Sequence, residues 1–582
     1  MVRRSFSQLA FFLVVVFLTL CPGPALAAEE AAMSMDEKLD AFLEPVAYWA
    51  DKIVFFSIPV GGHSVPIVLL LLAGTGVFLT LFFKFINFRA FRLALRTVRG
   101  KYSSEDDPGQ ITHFQALATA LSATVGLGNI AGVAVAIGIG GPGAVFWMVV
   151  MGLLGMTSKF AECTLGVAYR FIDSEGRVHG GAMRYLENGM REHGVGGLGR
   201  VLAIVFAVAC VGGALGAGNM FQINQSAQQI GETFGIFNDG QSWILGVIVA
   251  AMVGAVIIGG IVWIARVTAV LVPFMTIIYV LACIVVLGGY VSEIPAALGT
   301  IFREAFSFEA GLGGFLGGLI QGIKRGVFSN EAGLGSAAIA HAPVKTRRPA
   351  SEGVVALLEP FTDTVIICLM TALVIVTTGV WKADASINTA TELREGPSAT
   401  APVVRQLAER DLIHIVTPAK EGEPWMEIEM KDRDAAGHVL AEAVTERTGW
   451  SGGIWLTSRS FGSVIPWFPY VLTVAVFLFA FSTMISWSYY GEQAIYYLVG
   501  GNQHVITAYK LVFCGCVVVG AAASLKNVLM LSDALYFAMV APNLIGLYFL
   551  LPRIRRELDR FLAFSRKVDG GATLKEADQS EA

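Results

Sequence analysis

Charge is scarce in this sequence. Asp, Glu, Lys and Arg make up 15% of its 582 residues, where a soluble protein carries about 25%. That deficit excludes an ordinary soluble globular chain. No GxxxxGK[ST] run occurs, which removes nucleotide hydrolysis by a P-loop. No His is followed by Glu, so an HExxH zinc site is absent as well. Cysteine is sparse, and Cys163, Cys210, Cys283, Cys368, Cys514 and Cys516 fall in or beside apolar segments. They read as small packing residues, Cys514 and Cys516 included, and no disulfide framework is visible. Net charge is -4, but here only the distribution of charge is informative.

What the chain has instead is apolar length. It is 55% hydrophobic, with a mean hydropathy of +0.65. Many windows of about 20 residues are nearly free of charge, which is what a bilayer core demands. The expected fold class is an all-α polytopic membrane protein with about eleven transmembrane helices. The first lies at 64–86, and the others at 112–137, 142–168, 199–219, 241–260, 263–289, 311–339, 352–380, 465–497, 504–524 and 528–551.

Arg3 and Arg4, an apolar run and Ala25-Leu26-Ala27 read as a signal peptide over 1–27. The segment 28–63 is then extracytoplasmic, with 34–56 an amphipathic helix on the outer interface or an ordinary surface helix. The first span is followed by Lys84, Arg89, Arg92, Arg96, Arg99 and Lys101, which belong in the cytoplasm. Alternate threading puts the loops 220–240, 290–310 and 381–464 outside and the tail 552–582 inside. The loop 220–240 has no Lys or Arg, and the tail opens PRIRRELDR, in agreement with that orientation. Residues 383–460 form one long polar insertion, either a small subdomain or a solvated loop.

The stretch SATVGLGNIAGVAVAIGIGGPG at 122–143 is unusual for a membrane span. Gly126 and Gly128 invite a break between two half-helices. The amides of one half suit a carboxylate, and the carbonyls of the other suit a cation. Backbone of this kind is tolerable at membrane depth only where it lines a cavity. A glycine packing seam is the competing reading. The neighbouring polar residues Thr124 and Asn129 favour a site.

GLGNIAGVAVAIGIGGPGAVFWM, GMTSKFAECTLGVAYR, GAMRYL and RGVFSNEAGLGSAAIAHA closely resemble the alanine or glycine:cation symporter family, the sodium:alanine symporters. The resemblance runs from about 64 to 551, leaving out most of 383–460. It implies a LeuT-like fold: two inverted five-helix repeats, here 112–289 and 311–551, preceded by one extra helix at 64–86. It implies import of alanine or glycine together with Na⁺ across the cell (inner) membrane by alternating access. No enzyme activity, nucleic acid or nucleotide is implied.

The resemblance also implies roles for residues. Gly126, Leu127 and Gly128 would offer amides to the substrate carboxylate, with Thr124 beside them. The carbonyls of Ser122 and Val125 and the hydroxyls of Ser482 and Thr483 would hold one Na⁺. Asn129 and the Thr124 carbonyl would serve a second. A second helix break is expected at 315–321, with Gly317, Gly318 and Gln321 facing the substrate. Ser329, Asn330 and Glu331 are expected near the cytoplasmic mouth, as a gate or a structural turn. Lys159 and Glu162 are expected to pair with each other or with Arg170. Glu359 and Asp363, four residues apart, either relay protons or hold a cation, or form a structural pair. A proton-coupled carrier and a non-transporting sensor or scaffold are the competing functions.

Overall fold

The computed structural model describes residues 34–579, apart from 61–62, 238–239, 308–310, 384, 388, 409–410, 418, 420–423, 431–433, 447–452 and 465–466. The expected signal peptide lies outside the described residues.

Apolar helices dominate. Among the described residues seven are long and apolar enough to cross a membrane, or eight if one bent pair counts as a single span. The chain is a multi-pass membrane protein. In order come α1 (Met35–Val54), α2 (Ile67–Phe82) and the bent pair α3 (His113–Thr124) and α4 (Gly128–Gly140). Then follow α5 (Gly143–Ala168), α6 (Gly196–Phe234), α7 (Ser242–Ile257), α8 (Gly260–Gly289) and α9 (Ile294–Ala305). Further along are α10 (Gly311–Asn330), α11 (Ala337–His341), α12 (Pro349–Thr378), α13 (Phe468–Val499), α14 (Gln503–Ala522) and α15 (Leu525–Asp569).

Local chemistry fixes the helix ends that matter. Thr112 and Gln115 start α3 as a reciprocal capping box, with bonds of 3.0 and 3.2 Å. Between α10 and α11 the backbone turns left-handed at Glu331, Gly333 and Gly335, with φ of 59°, 90° and 85°. No helix continues through three such residues.

Several expectations need correction. The expected outer loop 220–240 is largely helix, because α6 runs on to Phe234. Asn219, Gln222, Asn224, Gln225, Ser226 and Gln229 in its second half are all buried. They resemble loop residues by polarity alone and in fact face the protein interior. The loop 290–310 contains α9. The tail from 552 continues α15 to Asp569, where Asp569 accepts from Arg96 and Lys101, each at 2.7 Å. The interfacial helix is α1, and it lies on protein. Leu43 and Ala47 are buried, and Asp40 accepts from the Ser524 amide at 2.8 Å.

The insertion is a folded subdomain, so the chain is not all-α. Strands β1 (Ala385–Ile387), β2 (Thr391–Arg394), β3 (Val403–Leu407), β4 (Leu412–Thr417), β5 (Trp425–Met430), β6 (Ala436–Leu440) and β7 (Val444–Glu446) form one sheet of seven. Its order is β7-β1-β4-β5-β6-β2-β3, with every pair antiparallel. Met426, Ile428 and Met430 alternate inward along β5 and pack with Leu393, Ile413 and Val439.

Small residues bring the spans together. A Cβ on Gly322 of α10 would lie 2.4 Å from the Ala144 carbonyl of α5. Gly322→Leu is therefore expected to destabilise the protein by about 2 kcal/mol or more. The check is a lower midpoint in a thermal scan of the purified protein in detergent.

Candidate functional site

The α3–α4 break is held by side chains from three other helices, α6, α12 and α13. Val125 leaves helical geometry, with ψ 88°. That frees the amides that follow it. The Gly126 N–H donates to Asn129 Oδ1 at 2.9 Å, and the Leu127 N–H donates to Gln222 Oε1 of α6 at 3.1 Å. Gln222 is itself fixed by donating to the Ala217 carbonyl at 3.0 Å. A π-helical turn at Gly216–Met220 precedes Gln222. Turns of this kind recur at functional sites.

On the other side of the break, α13 supplies hydroxyls. Thr483 Oγ1 donates to the Ser122 carbonyl at 3.0 Å, and Ser486 Oγ donates to Ser122 Oγ at 3.0 Å. Ser122 Oγ in turn donates to the Ser482 carbonyl at 2.8 Å. Ser482 Oγ turns back onto its own helix, donating to Phe479 O at 3.0 Å. Ser122, Thr483 and Gly126 are thus brought together. A Cβ on Gly126 would sit 2.5 Å from Thr483 Oγ1. The ligand atoms here are all oxygen, the donor type that hard cations prefer.

The second break faces the first, at 331–336 and not at 315–321. Gly317, Gly318 and Gln321 lie inside continuous α10, about two to three turns from Phe328. Gly318 serves packing there: a Cβ on it would lie 3.1 Å from the Gly140 carbonyl. Ser329, Asn330 and Glu331 stand at the break itself. Ser329 Oγ donates to Asp363 Oδ2 at 2.7 Å, and Asn330 Nδ2 donates to Thr364 Oγ1 at 3.0 Å. Asn129 Nδ2 reaches the same Asp363, at 2.6 Å to Oδ1 and 3.0 Å to its carbonyl. One carboxylate on α12 therefore joins both breaks. Asp363 lies in a second π-helical stretch, Phe361–Cys368.

A small cavity of about 10 Å³ lies between the breaks, room for about one water. Thr124, Gly128, Gln222, Phe328, Glu331, Trp487 and Tyr536 line it. Trp487 Nε1 donates to Glu331 Oε1 at 3.1 Å, and Ser336 Oγ donates to Oε2. Tyr536 OH donates to the Phe328 carbonyl at 3.0 Å. Sequence reasoning missed Gln222, Phe328, Trp487 and Tyr536 and put Glu331 too far away. The signal for Gln222 was a buried polar residue in an apolar span, which by itself marks a site.

Glu359 and Asp363 do not pair with each other. Glu359 accepts from Lys159 at 2.8 Å and lies 3.5 Å from His341 Nε2. His341 Nδ1 meets Glu352 at 2.6 Å, and Glu352 also meets His113. These five side chains form a buried line from α5 to the start of α3. Glu162 turns to Asn543 instead, at 2.8 Å. Arg170 donates to four backbone carbonyls, those of Pro108, Ala342, Val344 and Thr346.

Asp363→Asn keeps the shape but replaces one acceptor oxygen with a donor, facing hydroxyls and an amide that already donate. Leaving such a group unmatched costs about 1–3 kcal/mol. The expected outcome is a lower thermal midpoint, with the protein still monodisperse in gel filtration.

The family model for the sodium:alanine symporter family matches residues 56–404 and 435–573. It therefore reaches further into the insertion and the C-terminal helix than the motifs alone suggest. The sodium/alanine symporter AgcS of Methanococcus maripaludis is 39% identical over 486 residues, covering 83% of this chain and 92% of that one. A putative sodium/proton-dependent alanine carrier protein of Bacillus subtilis, YrbD, is 30% identical over 492 residues, covering 84% and 87%. A crystal structure of MhsT in complex with L-phenylalanine aligns with a TM-score of 0.45 at 12% identity, covering 76% of this chain and 98% of that one. The matched family and these two relatives are named for cation-coupled transport of alanine. The chain belongs to the sodium:alanine symporter family.

Proposed function

We propose that the protein imports a small neutral amino acid, alanine or glycine, with Na⁺ by alternating access. The observation that carries this reading is the meeting of two interrupted helices around one small polar cavity. Each opens a set of five spans, α3–α8 and α10–α15, which supports a LeuT-like inverted repeat with α2 as an eleventh, extra helix. The α1 end of the bundle faces outward, and the end carrying residues 84–102 faces the cytoplasm.

In this reading Na⁺ is cargo held by the Ser122 and Val125 carbonyls and the Thr483 hydroxyl, with Ser482 swinging over from its own helix. The Gly126, Leu127 and Gly128 amides receive the substrate carboxylate once Gln222 gives way, with Thr124 at the pocket wall. Glu331, held by Trp487, meets the substrate ammonium. Asn129, the Thr124 carbonyl and Asp363 make a second cation position, whose carboxylate accepts either Na⁺ or a proton. Binding of Na⁺ across α3 and α13 draws the cavity wall into shape, so that ion and amino acid strengthen each other's binding. A cavity with room for about one water must widen to take even glycine, so Phe328, Trp487 and Tyr536 move on binding. The buried line from Lys159 to His113 closes the cytoplasmic side meanwhile.

The test is radiolabelled alanine and glycine uptake into proteoliposomes at fixed pH, with Na⁺ replaced by K⁺. Uptake that needs the Na⁺ gradient supports the reading; uptake that follows a proton gradient alone overturns the choice of ion. Gly126→Ala, which displaces the Thr483 hydroxyl, is expected to raise the Na⁺ concentration for half-maximal uptake about tenfold, equivalent to about 1.4 kcal/mol. Gly128→Leu is expected to abolish uptake while leaving membrane insertion intact, since its side chain would enter the cavity.

A further inference from the structure

One turn from the cavity, toward the α1 end, lies a buried ion pair that the transport scheme above does not use. Arg325 is 2% exposed and Asp533 is 3% exposed. Arg325 of α10 donates to Asp533 of α15 through Nη2, and Lys324 reaches the same carboxylate at 2.8 Å. The pair is tied to the cavity wall on both helices. Arg325 lies over the Phe328 ring at 4.9 Å, three residues along α10. Asp533 precedes Tyr536 by three residues on α15, and Tyr536 packs on Phe328 with ring centroids 5.2 Å apart. Separating Arg325 from Asp533 therefore means parting the two aromatic rings that roof the cavity.

Arg325 Nε and Nη1 find no hydrogen-bond partner in the protein, and neither does Asp533 Oδ1. Buried groups of this kind are almost always satisfied. The unmatched set is two donors on a cation and one acceptor on an anion, side by side. That is the complement of an α-amino acid, whose carboxylate accepts and whose ammonium donates. A buried ion pair separates at a high cost when nothing replaces either partner. A zwitterion replaces both at once, whereas an amine or a carboxylic acid replaces only one.

We propose that Arg325 and Asp533 form a second recognition site, an outer latch for the zwitterionic head of an α-amino acid, which opens by exchanging the Arg325–Asp533 bond for bonds to the incoming carboxylate and ammonium. The proposal rests on the amino-acid transport reading and on the orientation that places α1 outside. The latch is braced by α1 and its end. The Lys324 ammonium lies 4.1 Å from the Phe55 ring centroid, and Phe55 packs on Phe537 at 5.3 Å. All of α1, Met35–Val54, lies before residue 56, where the family match begins.

The experiment measures initial uptake rates of alanine and glycine in proteoliposomes for the full chain, Arg325→Gln, Asp533→Asn and the double variant. Alaninamide and propionate serve as competitors lacking one charge each. Arg325→Gln and Asp533→Asn are each expected to raise KM about tenfold, more than they lower kcat. Against wild-type protein, alaninamide and propionate are expected to compete at least tenfold more weakly than alanine. If the single variants fail to fold, the double variant carries the test, because it leaves neither charge unpaired. A double variant with wild-type KM overturns the proposal, as does a fall in kcat with KM unchanged in any variant, which marks a purely structural pair. A wild-type protein that takes up neither amino acid overturns the transport reading instead, so the two failures are distinct.

Discussion

The structure depends on one constraint: backbone freed from a helix at membrane depth has to find partners inside the protein. Two helices are interrupted here, and nearly every buried polar side chain around them answers that demand. Asn129 and Gln222 take the amides of the first break. Thr483 takes a carbonyl before it. Asn330 folds back onto the Ala332 amide within the second break, at 3.0 Å. The polar centre of an apolar bundle is therefore first a repair of two broken helices. In the proposed transport scheme the same atoms hold the ion and the zwitterion, because a group that can satisfy a backbone amide can release it to a ligand carboxylate.

Asp363 shows how the two repairs are made interdependent. It receives Asn129 from one break and Ser329 from the other. A change at either break is felt through a single carboxylate. The line from Lys159 through Glu359, His341 and Glu352 to His113 plays a comparable part deeper in the bundle. It joins α5, α11, α12 and α3 through alternating basic and acidic side chains. Buried pairs of this sort add little net stability but are costly to break singly, so they favour whole arrangements over intermediate ones. A transporter that must pass between discrete states gains from that property.

Much of this was legible in the sequence, for particular reasons. The break at Thr124-Val125-Gly126-Leu127-Gly128 could be read because glycine and polar residues coincide within an otherwise apolar span. The second break is hidden because closeness to the bilayer midplane points to 315–321. Gly318 packs against α4 there, whereas the chain turns where Glu331, Gly333 and Gly335 adopt positive φ. Glu331 gives no compositional hint of that conformation. The polar half of α6 was read as a loop because its residues lack a hydrophobic majority, although their lack of charge is what allows them to be buried. The insertion was ambiguous because its strands are short and pair out of chain order, β1 with β7 and β4, a pattern that no local window contains.

The attachment of α1 has a consequence for how the molecule is made. Asp40 caps α15 through Ser524 and Asn527, which lie 484 and 487 residues further along the chain. At synthesis rates of about 5–20 residues per second, roughly 25 to 100 seconds separate the two partners' emergence from the ribosome. During that interval α1 lacks most of its docking surface, although Asp36 accepts from the Ser242 amide at 3.2 Å. The first described helix thus completes its docking late. The bonds from the Ser524 amide and Asn527 to Asp40 form only once the start of α15 is in place.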